Sequence, residues 1–244
     1  MDEDVHGPLG VRIVVMAKAA VPGRVKTRLT KPGPGGEPAL SPEAAAAVHA
    51  AMLDCVLTRA GRFFGGFKPR PRLRLAMDDP AAAPASAVGW EVLPQETGDL
   101  GERMLRVGGE SGAVFLGVDS PDAPLHALEA AWWIAAGIKG QGSNLTLSAA
   151  GPVDDGGYWT LAVSRPLPTL HAGIDWGTAA VFEQTRAAAA AASLPFSTLP
   201  GWHDVDDAAD LAALRTRLAG IDPAAEPELA RLREALADPR TATV

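Results

Sequence analysis

Short apolar runs alternate with longer stretches of helical periodicity over the first half of the chain. Residues 11–17 form a nearly continuous apolar run rich in β-branched side chains, the pattern of a strand buried on both faces. A polar segment, 18–29, reads as loop, and the Pro-Gly stretch 32–36 can be neither helix nor strand. Ser41-Pro42-Glu43 then has the make-up of a helix start: a capping hydroxyl, a proline in the first turn and an acid to oppose the dipole. That helix is predicted to run to about Arg59. Further strands are predicted over 73–77, 90–93 and 113–118, with helices from 98–101 through Val107 and over 125–138.

The second half is less regular. Strands are predicted over 145–148, 159–163 and 194–199, and helices over 178–192, 206–218 and 224–236. The strands near Asp155 are close enough in sequence to pair antiparallel. The alternation predicts an α/β protein with a mostly parallel sheet and helices on both faces. Residues 1–10 are read as an N-terminal tail, 11–220 as one domain and 221–244 as a C-terminal helix and tail.

Composition narrows the class. With 244 residues, 47% of them hydrophobic and 21% charged, the chain is rich enough in apolar groups to fold around a core. The longest uncharged apolar stretch near the middle, 130–138, is far short of the roughly 20 residues a bilayer span needs. Cys55 is the single cysteine, which excludes an internal disulfide or a thiolate metal cluster. The first residues, Met-Asp-Glu-Asp, lack the pattern of a signal peptide, so a cytoplasmic location is expected. A net charge of −7 argues against nucleic acid as a partner. The charge is unevenly spread, however. No acid occurs between Val5 and Gly36, while that window holds six of the 22 Lys and Arg residues. A local cationic segment on an acidic protein points to a small anion as ligand.

The unusual polar residues follow predicted strands, where parallel α/β sheets bind ligands. The loop 18–28 carries the cations. Asp119-Ser120-Pro121-Asp122, Asp154-Asp155-Gly156-Gly157 and 201–207 carry carboxylates. Each segment alone has a plain structural reading as a turn, a helix cap or a solvated face. Together they suggest a nucleotide with its divalent metal, since phosphates call for Lys, Arg and backbone N–H groups while Mg²⁺ or Mn²⁺ calls for hard oxygen ligands. Neither a Walker sequence nor a dinucleotide-binding glycine fingerprint is present.

Several ordered blocks resemble a bacterial family of glycosyltransferases with the GT-A, nucleotide-diphospho-sugar transferase fold. They are Met16-Ala17-Lys18-Ala19, residues 22–29, Leu40-Ser41-Pro42-Glu43, Gln95 with residues 98–104, Asp119-Ser120-Pro121, Asp155-Gly156-Gly157-Tyr158, residues 174–178, and Trp202 with Asp204-Val205-Asp206. The resemblance covers residues 11–215 and implies a single-domain, Rossmann-like, mostly parallel mixed sheet flanked by helices. It implies that Lys18, Arg24, Lys26 and Arg28 bind nucleotide phosphates. It also implies that Asp119 and Asp206 hold Mg²⁺ or Mn²⁺, with Asp119 and Asp155 as catalytic carboxylates. Gly156, Gly157, Trp176 and Thr178 are implied at the sugar or acceptor. Two positions depart from the family pattern: Gly177 stands where serine is usual and Asp207 where threonine is usual.

The activity expected is metal-dependent transfer from a nucleotide, foremost glycosyl transfer from a nucleotide-diphospho-sugar to a small-molecule acceptor. Resemblance of residues 26–29 to phospholactate guanylyltransferases keeps open nucleotidyl transfer with release of pyrophosphate, and a noncatalytic nucleotide-binding module is the third reading. A homodimer is compatible with the sequence. Trp132 and Trp133 are read as core or a subunit contact, Cys55 as structural, and His203 as the one histidine in a candidate site loop.

Overall fold

A computed structural model of the chain describes residues 10–33, 35–37, 39–137 and 145–237. The tail 1–9, Pro34, Pro38, the end of the predicted helix at Ile138, and residues 238–244 lie outside the described residues.

Seven strands form one sheet in the order β3-β2-β1-β4-β6-β5-β7. They are β1 (Arg12–Ala17), β2 (Arg72–Met77), β3 (Glu91–Pro94), β4 (Ala113–Leu116), β5 (Ser148–Pro152), β6 (Tyr158–Val163) and β7 (Phe196–Thr198). The helices are α1 (Pro42–Gly65), α2 (Leu100–Gly108), α3 (Leu125–Ala136), α4 (Val181–Ala191), α5 (Ala208–Ala219) and α6 (Pro227–Ala237). β1 pairs in parallel with β2 and β4, β2 with β3, and β5 with β7. β6 alone runs against its neighbours β4 and β5.

The two-residue period of the strands divides the core. Ile13, Val15, Leu75, Met77, Val114 and Leu116 face α1, α3, α5 and α6. Val14, Ala76, Ala113 and Phe115 face α2 and α4 through Met104, Val107 and Ala189. Helix α6 packs on α1 and α5, with Leu229, Leu232 and Leu236 in the same hydrophobic cluster as β1. Arg59 and Arg62 of α1 tie it down through Glu226 and Glu228 at 2.9 Å each. Among the described residues no helix is long and apolar enough to cross a membrane.

Most boundaries shift by one to four residues from the sequence reading, and two of the shifts have a clear cause. Helix α1 starts as predicted, with Ser41 Oγ accepting from the Ala44 N–H at 3.1 Å, but continues six residues past Arg59. The added turns carry Phe63 and Phe64 into an aromatic group with Phe67, which packs on Trp132 with ring centres 4.9 Å apart. Strand β5 begins at Ser148, where the predicted strand 145–148 ends. Its Ser-Ala-Ala-Gly sequence has no large side chain to reveal a period, because Gly151 lies beneath the Trp159 indole, where a Cβ would sit 2.3 Å from Nε1.

Candidate active site

Because β1, β4, β5 and β7 run the same way, their C-terminal ends share one edge of the sheet, and the loops carrying the predicted site residues meet there. The β5–β6 connection is a tight turn in which Asp155 Oδ1 accepts the Gly157 N–H at 2.9 Å. Gly156 takes φ +87° and passes so near the 178–180 segment that a Cβ would lie 2.1 Å from the Ala179 carbonyl oxygen. Only glycine suits that position.

The loop after β1 is fastened at both ends. The Ala19 N–H donates to Asp78 Oδ1 at 2.7 Å, and Val25 and Leu29 are buried. Between those anchors Lys26 adopts the left-handed backbone conformation, φ 46° and ψ 39°, which costs about 1–3 kcal/mol for a residue with a side chain. The result is an ammonium turned inward, its side chain 6% exposed. It lies 2.6 Å from Asp119 Oδ1 and 3.8 Å from Asp206 Oδ1, and donates to the Val205 carbonyl. Arg28, which is exposed, pairs with Asp206 Oδ2 at 2.8 Å. The Val205 N–H donates to the Asp119 carbonyl at 2.9 Å, so the loops after β4 and β7 are held together by main chain as well.

An open cleft of about 670 Å³ runs along this edge. Lys18, Arg24, Lys26 and Arg28 line it from the β1 side, Gln95 and Arg103 from the β3 side, and Trp176 is also on its wall. Gln95 is buried. Its amide donates to the Ala17 and Ala76 carbonyls at 2.8 and 2.9 Å, and its oxygen accepts from Arg103 at 2.9 Å. That fixes Arg103 as a fifth cation on the cleft. Among the described residues Lys18, Arg24 and Arg103 form no ion pair, so their charge is available to an anion. His49 is buried behind the loop, and burial pushes its pKa down. The neutral ring donates from Nε2 to the Lys18 carbonyl at 3.0 Å.

A second lobe of about 190 Å³ adjoins the cleft, and Gly117, Asp119 and Asp206 border both. Here Asp155, Asp204 and Asp206 bring carboxylate oxygens within 4.8 Å of one another. Burial first, then the neighbouring charges of Asp155 and Asp206, push Asp204 up to about 6. Asp206 is also raised, by burial and Asp119, with Lys26 opposing. Three carboxylates this close together form a hard-oxygen donor set that suits Mg²⁺ or Mn²⁺. His203 Nδ1 meets Asp154 Oδ2 at 2.8 Å, with both side chains exposed.

The sequence-predicted residues separate accordingly. Lys18, Arg24, Lys26, Arg28, Asp119, Trp176 and Asp206 line the cleft, and Asp155 and Gly157 line the acidic lobe with Asp119 and Asp206. Gly156 shapes the turn. Thr178 lines neither space: its hydroxyl donates to the Asp175 carbonyl at 2.8 Å and accepts from the Ala180 N–H at 3.3 Å. Asp122 is buried, bound by Arg217 Nε at 2.6 Å and Trp202 Nε1 at 3.1 Å, and braces the core. Asp207 replaces the usual threonine without loss of the helix cap, since Oδ1 accepts from the Ala209 and Asp210 N–H groups. Sequence reasoning assigned no role to Gln95, Arg103 or Asp204. The signal for Asp204 was available: it sits two residues before Asp206 with the buried Val205 between, spacing that turns both carboxylates to one side in extended chain.

The fold is the one the resemblance implies: a single α/β domain whose mostly parallel mixed sheet, flanked by helices, matches a nucleotide-diphospho-sugar transferase fold. More narrowly, residues 68–178 match the family described as "Uncharacterized protein conserved in bacteria (DUF2064)". The structure is similar to that of a "putative nucleotide-diphospho-sugar transferase" from Desulfovibrio desulfuricans G20, at TM-score 0.70 and 25% identity over 96% of this chain and 98% of the other. It shares its fold with CMP:2-keto-3-deoxy-manno-octonic acid synthetase complexed with CTP, at TM-score 0.53 and 12% identity over 86% and 99% of the two chains. It shares it also with a cytidylyltransferase from Leptospira borgpetersenii serovar Hardjo-bovis (strain JB197), at TM-score 0.52 and 14% identity over 96% and 97%. No curated protein matches the chain in sequence.

Proposed function

We propose that the protein is a metal-dependent transferase that uses a nucleotide-diphospho-sugar as donor. The observation that carries this reading is the junction of two unlike spaces: a cleft with five cationic side chains opens, at Asp119 and Asp206, into a lobe with three clustered carboxylates. The cleft suits a diphosphate, and the lobe suits a divalent ion with the sugar or acceptor beside it. Asp204 and Asp206, with Asp119 and Asp155 lining the same lobe, would hold Mg²⁺ or Mn²⁺, which when bound offsets charge on the departing phosphate.

The chain's own groups do the rest. Lys18 and Arg24 grip the phosphates from one side of the cleft, with Arg28 joining them once the ion takes its partner Asp206, and Arg103, steadied by Gln95, grips from the other. Asp155, on the exposed β5–β6 turn, orients an acceptor hydroxyl and takes its proton as the oxygen bonds to the sugar carbon. The bond from that carbon to the phosphate oxygen breaks, and the nucleoside diphosphate leaves with the electron pair.

A second reading, nucleotidyl transfer, is favoured by the number of cations on the cleft, which is generous for a diphosphate alone. The shared fold of a synthetase complexed with CTP supports it as well. The deciding experiment incubates the protein with panels of sugar nucleotides and nucleoside triphosphates plus Mn²⁺ and candidate acceptors. Release of nucleoside diphosphate supports glycosyl transfer, and release of pyrophosphate supports nucleotidyl transfer. Nucleotide binding with neither product would point to the noncatalytic module.

A further inference from the structure

Lys26 differs from the other cations of its loop. Lys18, Arg24 and Arg28 are exposed, as phosphate-gripping side chains on an open cleft should be, whereas the Lys26 side chain is 6% exposed and faces inward. Its ammonium has three oxygen neighbours, from Asp119, Val205 and Asp206, contributed by the loops after β4 and β7. The backbone accepts a left-handed conformation at Lys26 itself to place it there, between two buried anchors, Val25 and Leu29. A strained residue that holds one positive charge against the two carboxylates bordering both lobes occupies a built cation position.

We infer that Lys26 is an internal stand-in for the divalent ion: in the ligand-free chain it neutralises Asp119 and part of Asp206, and loading exchanges it. The metal ion takes over the carboxylates, and the released ammonium moves into the cleft to meet the nucleotide phosphates. This inference rests on the metal-dependent reading above. It makes Lys26 the group that couples two binding events, so that phosphate in the cleft favours metal in the lobe and the converse holds equally.

The test measures Mn²⁺ binding to the full chain by the loss of the free-ion electron paramagnetic resonance signal, without nucleotide. Lys26→Gln removes the competing charge and is expected to bind Mn²⁺ about tenfold more tightly than the unaltered protein. Lys26→Arg keeps the charge and is expected to stay within about threefold of it. A second measurement needs no variant: acetylation of Lys26 by acetic anhydride, read by mass spectrometry, is expected to rise about fivefold when saturating Mn²⁺ expels the ammonium. Lys18 is the exposed internal control and should not change. Equal or weaker Mn²⁺ binding by Lys26→Gln, or Lys26 labelling that saturating Mn²⁺ leaves unchanged, overturns the inference alone. Absence of Mn²⁺ binding in every form overturns the metal-dependent reading with it. Should Lys26→Gln fail to fold, the labelling result decides.

Discussion

His171 offers a measurable link between titration and stability. The ring is 3% exposed, stacked on Trp176 with centres 6.5 Å apart and edge-on to Phe115 at 6.4 Å. Gly101 of α2 crowds it so closely that a Cβ there would lie 2.8 Å from the His171 Cβ, and Nδ1 has no hydrogen-bond partner among the described residues. Burial therefore pushes the imidazole down to about 4, against a weaker pull from Asp99. A base whose folded pKa is depressed leaves the folded state with fewer protons than the unfolded chain between about 4 and the ordinary 6.5. Its contribution is complete above pH 6.5 and is lost as pH falls toward 4. Between pH 7.5 and 4.5 the loss is about 2–3 kcal/mol, or about 5–10 °C in Tm for a chain of this size. Urea unfolding of the unaltered protein and of His171→Leu at both pH values isolates the effect. The raised carboxylates Asp204 and Asp206 shift stability in the opposite direction in both proteins and cancel. The unaltered protein should lose about 2–3 kcal/mol more than the variant on acidification. An equal loss in the two proteins would refute the assignment of a neutral, sealed imidazole.

Further outcomes are expected at three places in the structure. Arg103→Ala should weaken binding of nucleoside diphosphates about tenfold by calorimetry. Gln95→Ala should weaken it in the same direction by less, because Arg103 remains but loses its anchor; unaltered affinity in both would remove the β3 side of the cleft from the site. Gly156→Ala should cost about 2–4 kcal/mol in thermal unfolding, from its positive φ and the approach of Ala179. Gly157→Ala, whose Cβ would meet nothing closer than Asp155 Oδ1 at 3.1 Å, should cost less. Asp204→Asn should stabilise the metal-free protein at pH 8. A carboxyl raised to about 6 supplies stability below pH 4 that is lost as pH rises through 6. Partial exposure reduces that gain to about 1 kcal/mol, and it should vanish at pH 4. The same variant should lose the rise in Tm on adding Mn²⁺ if Asp204 holds the ion.

The order of strands and helices was legible because β1 and β4 are β-branched or aromatic runs and α1 opens on a capping serine, signals that act within a few residues. The edge of the sheet carrying the site was legible too, since ligand loops follow parallel strands. β5 was misplaced by three residues because small buried residues show no period, and α1 was cut short because the aromatic group its last turns join, Phe63 and Phe64 with Phe67, closes on Trp132 of α3, a contact between distant parts of the chain. Lys26 could be read as a cation after β1, but its inward turn could not, since the Val205 carbonyl that receives it lies 179 residues further along the chain. The sequence by itself determined which charges exist and which strand ends bear them. Tertiary structure alone decided which of those charges cancel and which stay free for a ligand: Lys26 against Asp119, Arg28 against Asp206, and Arg103 held open by Gln95. Coulombic pairing depends on separation and burial, and both are set by a strand order that places β4, β5 and β7 on the far side of β1 from β3.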